Sequence, residues 1–178
     1  EFFELMNQRR SVRHFSTDPV PRELLELAIA TASTSPSGAH RQPWRFVVVH
    51  DADRRRQLVG ACLGQGFVAE APVVIVVCAL PEVSALHYGN RGRNLYCLQD
   101  VAAATQNMLL RGTELGLGVC WVGAFDEVAV ARVLGLEASW RPLVVVPVGW
   151  AHDHPREGSR LPLERLVVWL DEDGVEAP

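Results

Sequence analysis

The chain has 178 residues, 48% of them hydrophobic and 21% charged, a composition that supports a sizeable core and excludes wholesale disorder. All 17 basic residues are arginine, so there is no Gly-Lys-Ser/Thr phosphate loop, no lysine Schiff base and no lysine general base. The net charge of −4 speaks against a broad nucleic-acid surface, and no apolar run approaches the roughly 20 residues that span a bilayer.

The length fits one domain over residues 1–178. The chain opens Glu1-Phe2-Phe3 with neither an initiator Met nor a signal-peptide pattern, so the true start is expected to be missing from this numbering. Phe2–Arg9 reads as a short helix with Phe2, Phe3, Leu5 and Met6 able to line one side. A polar stretch, Ser11–Val20, follows. Pro21 suits the first turn of a helix running to about Ser33, with a stripe at Leu24, Leu25, Ala28, Ile29 and Ala32. Ser33–Pro43 is dense in Ser, Pro and Gly and reads as a loop.

Four apolar runs come next: Phe46–Val49, Val73–Ala79, Leu117–Ala124 and Leu143–Val148. They are β-branched and continuous, which suits strands covered on both faces. Helical stretches at Ala52–Leu63, Asn94–Leu115 and Asp126–Leu134 separate them. The longest carries a stripe at Leu95, Leu98, Ala102, Thr105 and Leu109, and Val101, Ala104, Met108 and Leu110 extend its apolarity round the barrel. A helix apolar on more than one side calls for cover on more than one side, and a second subunit is one candidate cover. Pro81–Arg93 and His152–Arg160 read as loops, and no repeat or low-complexity linker interrupts the chain. The pattern is one layered domain with a sheet between helices. Cys62, Cys78, Cys97 and Cys120 form no Cys-x-x-Cys pair; Cys78 and Cys120 read as core residues, and a reducing, cytoplasmic setting is the simplest inference.

Two segments carry chemistry. In Arg9-Arg10-Ser11-Val12-Arg13, three guanidiniums and a hydroxyl within five residues can converge on one phosphate, although a solvated basic patch has the same composition. In Ser35–Trp44, Pro36 and Pro43 fix the backbone, while Ser37, Gly38 and Ala39 leave room for a planar ligand. Ser37 is not in a Gly-x-Ser-x-Gly elbow and His40 has no evident acid partner, so a Ser-His hydrolase fits poorly. His152-Asp153-His154 lacks a third ligand at metal-site spacing, and Gly116-x-Gly118 lacks the third glycine of a dinucleotide fingerprint. The tryptophans at 44, 121, 140, 150 and 169 read mostly as core or interface anchors.

In order and spacing, these two segments resemble the FMN-dependent nitroreductase family, and Pro36–His40 before Pro43-Trp44 is most similar to its iodotyrosine-deiodinase branch. The resemblance extends through Gly116–Ala124, Pro147–Gly149 and Arg160–Leu163. It implies an α+β fold, a three-layer α/β/α sandwich with a mixed, largely antiparallel sheet, in an intertwined homodimer. It also implies FMN as cofactor and NAD(P)H as electron donor, with hydride passing through flavin N5 to an electron-poor nitroaromatic or quinone in a ping-pong cycle.

Residue by residue, the resemblance gives Arg9, Ser11 and Arg160 the FMN phosphate, with Arg10 assisting or pairing with a nearby acid. It sets Arg13 beside the N1/O2 edge, where a fixed cation raises the flavin potential. Pro36, Ser37 and Gly38 belong to the flavin site, with Ser37 and Gly38 touching the ring or ribityl chain from the partner subunit. The backbone of Trp121, Val122 and Gly123 runs past the ring, with the Gly123 N–H towards N5. Ala39, Tyr88 and Arg91 are candidate substrate contacts, and a plain surface loop is the competing reading for the last two. No side chain need be an acid or base, since hydride transfer on a flavin can draw its protons from water.

The chain departs from the deiodinases in a short, glycine-rich stretch at 57–71 without lysine, where they carry a substrate lid, and in Gly123 where they place a hydroxyl. A flavin-binding sensor or carrier without turnover, deiodination, and flavin destruction are the alternatives to the oxidoreductase reading.

Overall fold

The computed structural model describes residues 2–153, 155, 158–171 and 174–176. Four strands make one sheet: β1 (Trp44–Val49), β2 (Val73–Ala79), β3 (Leu117–Val119) and β4 (Arg141–Trp150). Their order is β1-β2-β4-β3, with every neighbouring pair antiparallel. One parallel bridge, Ser11 to Val119, makes the sheet mixed at its β3 edge. A separate hairpin joins β5 (Trp169–Asp171) to β6 (Gly174–Glu176).

Among the described residues, seven α-helices accompany the sheet: α1 (Phe2–Gln8), α2 (Arg22–Ala32), α3 (Ala52–Ala61), α4 (Phe67–Glu70), α5 (Pro81–Arg91), α6 (Cys97–Glu114) and α7 (Glu127–Leu134). The pleat of β2 explains the layers. Val73, Ile75, Val77 and Ala79 enter one core with Leu25, Ala28 and Ala32 of α2 and Val101, Ala104 and Met108 of α6. Val74, Val76 and Cys78 enter the other, with Leu58 and Ala61 of α3, Val68 of α4 and Val130 of α7. A strand with helices over both faces has no polar side to present, which is why its sequence is continuously apolar.

Several helix limits follow from single residues. The Asp51 carboxylate accepts the Arg54 N–H at 2.8 Å to open α3, and Asp126 accepts the Ala129 N–H at 2.9 Å to open α7. Gly135, at φ 63°, ends α7 in a left-handed conformation. Pro21 lies at the cap of α2, one place before its first turn.

The stretch Pro81–Arg93, expected as a loop, is instead helix α5. Pro81 occupies its first turn, where the fixed φ is already helical, and the apolar Val83 and Leu86 are too few to form a stripe. Gly89, at φ 54°, kinks the helix, and Gly92–Tyr96 forms a π turn that runs directly into α6. The buried face of α6 passes through Cys97, Val101, Ala104, Thr105, Met108, Leu109 and Gly112, so the expected stripe is displaced and Ala102 is exposed.

Candidate functional site

The arginine-rich segment leaves α1 with the Arg9 N–H on the Leu5 carbonyl at 3.1 Å, then runs extended along the outer edge of β3. The Val12 N–H donates to the Val119 carbonyl at 3.0 Å. Gly118 permits this approach, because a Cβ there would stand 2.9 Å from Val12 Cγ1.

Beyond Val119 the pairing of β3 with β4 weakens for a reason visible in the sequence. The Cys120 N–H reaches the Pro147 carbonyl over a long 3.4 Å, and Pro147 has no N–H to return. The pairing resumes where Val122 and Val145 exchange bonds of 2.9 and 3.0 Å. Between and after these contacts the chain opens. Trp121 is 39% exposed, and Gly123 is exposed with no hydrogen bond to its N–H among the described residues.

Arg9, Ser11 and Arg13 share a neighbour in Cys120. Burial pushes the Cys120 thiol up, and the Arg13 charge, the Ser11 hydroxyl and the Arg9 charge oppose that shift. The Arg13 guanidinium stands 5.8 Å from the centroid of the Phe67 ring, a cation–π arrangement on α4. Neither Arg9 nor Arg13 has a carboxylate partner among the described residues. Arg10 takes a different direction: its Nη1 donates to the Arg9 carbonyl at 2.9 Å, and it lines a cavity of about 490 Å³ with Val12, Thr113, Gly118 and Ala151. The run therefore divides, with 9, 11 and 13 beside Cys120 and 10 apart from them.

The second segment is built differently. Gly38–His40 forms a single 3₁₀ turn. Ala39, His40 and Gln42 all adopt left-handed φ values, 48°, 55° and 51°. Hydrogen bonds hold this conformation. The Gln42 N–H donates to Ser37 Oγ at 2.9 Å, and the Gly38 N–H donates to the Asp100 carboxylate at 3.2 and 3.3 Å. Asn107 Nδ2 donates to the buried Ser35 Oγ at 2.7 Å. Burial pushes the Asp100 carboxyl up from its ordinary value, opposed by the Gly38 N–H. Tyr88 closes on the same turn, since a Cβ at Gly38 would lie 3.1 Å from Tyr88 Cε2.

Tyr88 packs edge-on against His87 and Tyr96, with centroids 4.6 and 4.9 Å apart. Arg91 Nε donates to the Tyr96 hydroxyl at 2.9 Å. Pro36 and Ala39 are exposed, Ser37 is half-buried, and Arg160 is exposed in the chain after β4. His154 lies outside the described residues, among which there is no cluster of three or more metal-ligating side chains.

Within one chain these segments do not meet across the sheet. The Pro36–Ala39 turn leads into β1, while Ser11 lies outside β3 at the opposite edge. Four strand spacings separate Ser11 from β1, about 19 Å. Three residues escaped sequence reasoning: Asp100, Asn107 and Phe67. Asp100 and Asn107 are seven apart and share a face of α6, but their partners lie 62 and 72 residues away, so no local signal marks them. Phe67 had only its place in the short 57–71 stretch.

A model of the nitroreductase family matches residues 6–68 and 61–150. A relative named NADH dehydrogenase, from Thermus thermophilus, is 34% identical over 191 residues, covering 91% of this chain and 92% of its own. An iodotyrosine deiodinase from Haliscomenobacter hydrossis is 29% identical over 188 residues, covering 91% and 82%. The crystal structure of a nitroreductase family protein from Streptococcus pneumoniae superposes with a TM-score of 0.87 at 24% identity, covering 94% of this chain and 98% of that one. The match takes in the arginine run, the strained turn and the opened end of β3 alike, and the chain belongs to the nitroreductase family.

Proposed function

We propose that the protein is an FMN-dependent oxidoreductase that takes hydride from NAD(P)H and delivers it to an electron-poor acceptor of nitroaromatic or quinone type, the two reactants using one place in turn. The observation that carries this reading is the donor set at the end of β3. Arg9 and Arg13, without carboxylate partners among the described residues, stand with Ser11 beside Cys120, at the head of a stretch in which Trp121 and Gly123 are exposed and the Gly123 N–H is unbonded. Cations of permanent charge beside an unbonded backbone N–H fit a planar group that is anionic at one end and gains charge on reduction.

Arg9 and Ser11 would hold the phosphate, joined by Arg160. Arg13 would place a charge that does not titrate beside the N1/O2 edge, with Phe67 fixing its direction. Trp121, Val122 and the Gly123 N–H would line the ring. The bound flavin supplies two-electron hydride transfer at N5. The sheet order supports a homodimer, with Pro36, Ser37, Gly38 and Ala39 reaching the flavin from the partner subunit together with Tyr88 and Arg91. The exposed apolar residues Leu161, Leu163, Leu166, Val168, Trp169 and Leu170 offer a second copy a surface to cover. Four unpaired cysteines fit a reducing compartment.

The purified protein should be yellow, or turn yellow on reconstitution with FMN, and should oxidise NADH or NADPH with nitrofurazone or menadione as acceptor. Arg13→Ala should weaken FMN binding about tenfold or more and lower the flavin potential. A protein that cannot be loaded with FMN defeats the proposal. Bound FMN with no acceptor-dependent oxidation would favour a sensor or carrier instead, a reading the short 57–71 stretch keeps relevant.

A further inference from the structure

The turn at Gly38–Gln42 is conformationally expensive and stands outside the hydrophobic core. Three non-glycine residues in left-handed φ within four positions cost about 1 kcal/mol or more each. Ala39, His40 and Gln42 are all exposed, so burial of their side chains does not offset that cost. Such a conformation persists only where its surroundings over-determine it. Here the surroundings are α6 and α5. Asp100 and Asn107, two turns apart on α6, reach the Gly38 N–H and Ser35 Oγ, and the Tyr88 ring closes on Gly38 from α5.

We propose that Asp100 is a positioning residue, whose carboxylate holds the Gly38 N–H, at the mouth of the strained Ala39–Gln42 turn, so that the Ser37–Ala39 backbone is presented to the flavin in a fixed shape. The ligand half of this proposal rests on the flavin reading above; the mechanical half rests on the hydrogen bonds alone. The carboxylate accepts from the turn while Pro36 and Ala39 stay exposed, and the Tyr88 ring, itself edge-on to His87 and Tyr96, lies against Gly38. Gly38 suits this clamp, since a Cβ there would stand 3.1 Å from Tyr88 Cε2 and the ring would have to give way by a few tenths of an ångström.

The test compares wild type, Asp100→Ala and Asp100→Asn in two measurements: FMN titration of the flavin-free protein followed by flavin fluorescence, and amide hydrogen exchange in peptides covering 36–43. Asp100→Ala should accelerate exchange in that peptide and weaken FMN binding, each about tenfold or more, with β2 exchange unchanged. Asp100→Asn keeps an oxygen that accepts from the Gly38 N–H and should stay within about threefold of wild type in both. Wild-type exchange in Asp100→Ala overturns the proposal. So does faster exchange with unchanged FMN affinity, or equal losses in the Ala and Asn variants. A wild-type protein that takes up no FMN defeats the flavin reading, and the exchange comparison then still decides whether Asp100 holds the turn.

Discussion

Cys62 and Cys78 belong to the core between the sheet and the α3, α4 and α7 layer, and both are fully buried. Burial pushes the Cys62 thiol up to about 11 and the Cys78 thiol up to about 12, from an ordinary 9.0. A thiol raised in this way keeps its proton in the folded chain at a pH where the unfolded chain has lost it. Its contribution to stability is therefore complete below about pH 9 and is lost as pH climbs through 11 and 12. The urea midpoint should fall steadily above pH 9, and less steeply in Cys78→Ala; a midpoint independent of pH up to 11 contradicts this. At pH 8 the folded protein should give little reaction with a disulfide reagent, because all four thiols are buried and burial raises each of them above its ordinary value.

At the scale of elements, the cap of α7 does two jobs. Asp126 accepts from Ala129 and donates its own N–H to the Ala61 carbonyl at 2.9 Å, so it ties the chain leaving Gly123 to both α7 and α3. Asp126→Ala should cost about 1 kcal/mol, read as a lowered thermal midpoint, and its effect should add to that of Asp51→Ala, which opens a different helix. The elements that were legible from sequence are those with a local cause. Strands β1, β2 and β4 announce themselves by runs of valine, and the turn at 35–43 by Pro, Ser and Gly; α3 and α7 were legible as helical stretches, their Asp caps only in the structure. Helix α5 was illegible because most of it faces water, leaving no period to read, and its glycine kink resembles a loop signal. The arginine run was legible as a cation source, but its division into 9, 11 and 13 against 10 depends on the bridge between Ser11 and Val119. Asp100 was illegible for a different reason: an aspartate on a helix is ordinary until its partner, 62 residues earlier, is known.

For the molecule as a whole, the separation of β1 and β3 to opposite edges has a genetic consequence. If a working site takes Arg13 from one chain and Gly38 from another, the two lesions Arg13→Ala and Gly38→Val fall in separable halves of that site. Each variant alone should be nearly inactive. Co-refolded in equal amounts, they should recover about a quarter of the wild-type rate, because half the dimers are mixed and each mixed dimer holds one undamaged site. Two lesions serving a site within a single chain would show no recovery at all. The gene would then complement itself in trans, and an allele damaged at one edge of the sheet could be rescued by an allele damaged at the other.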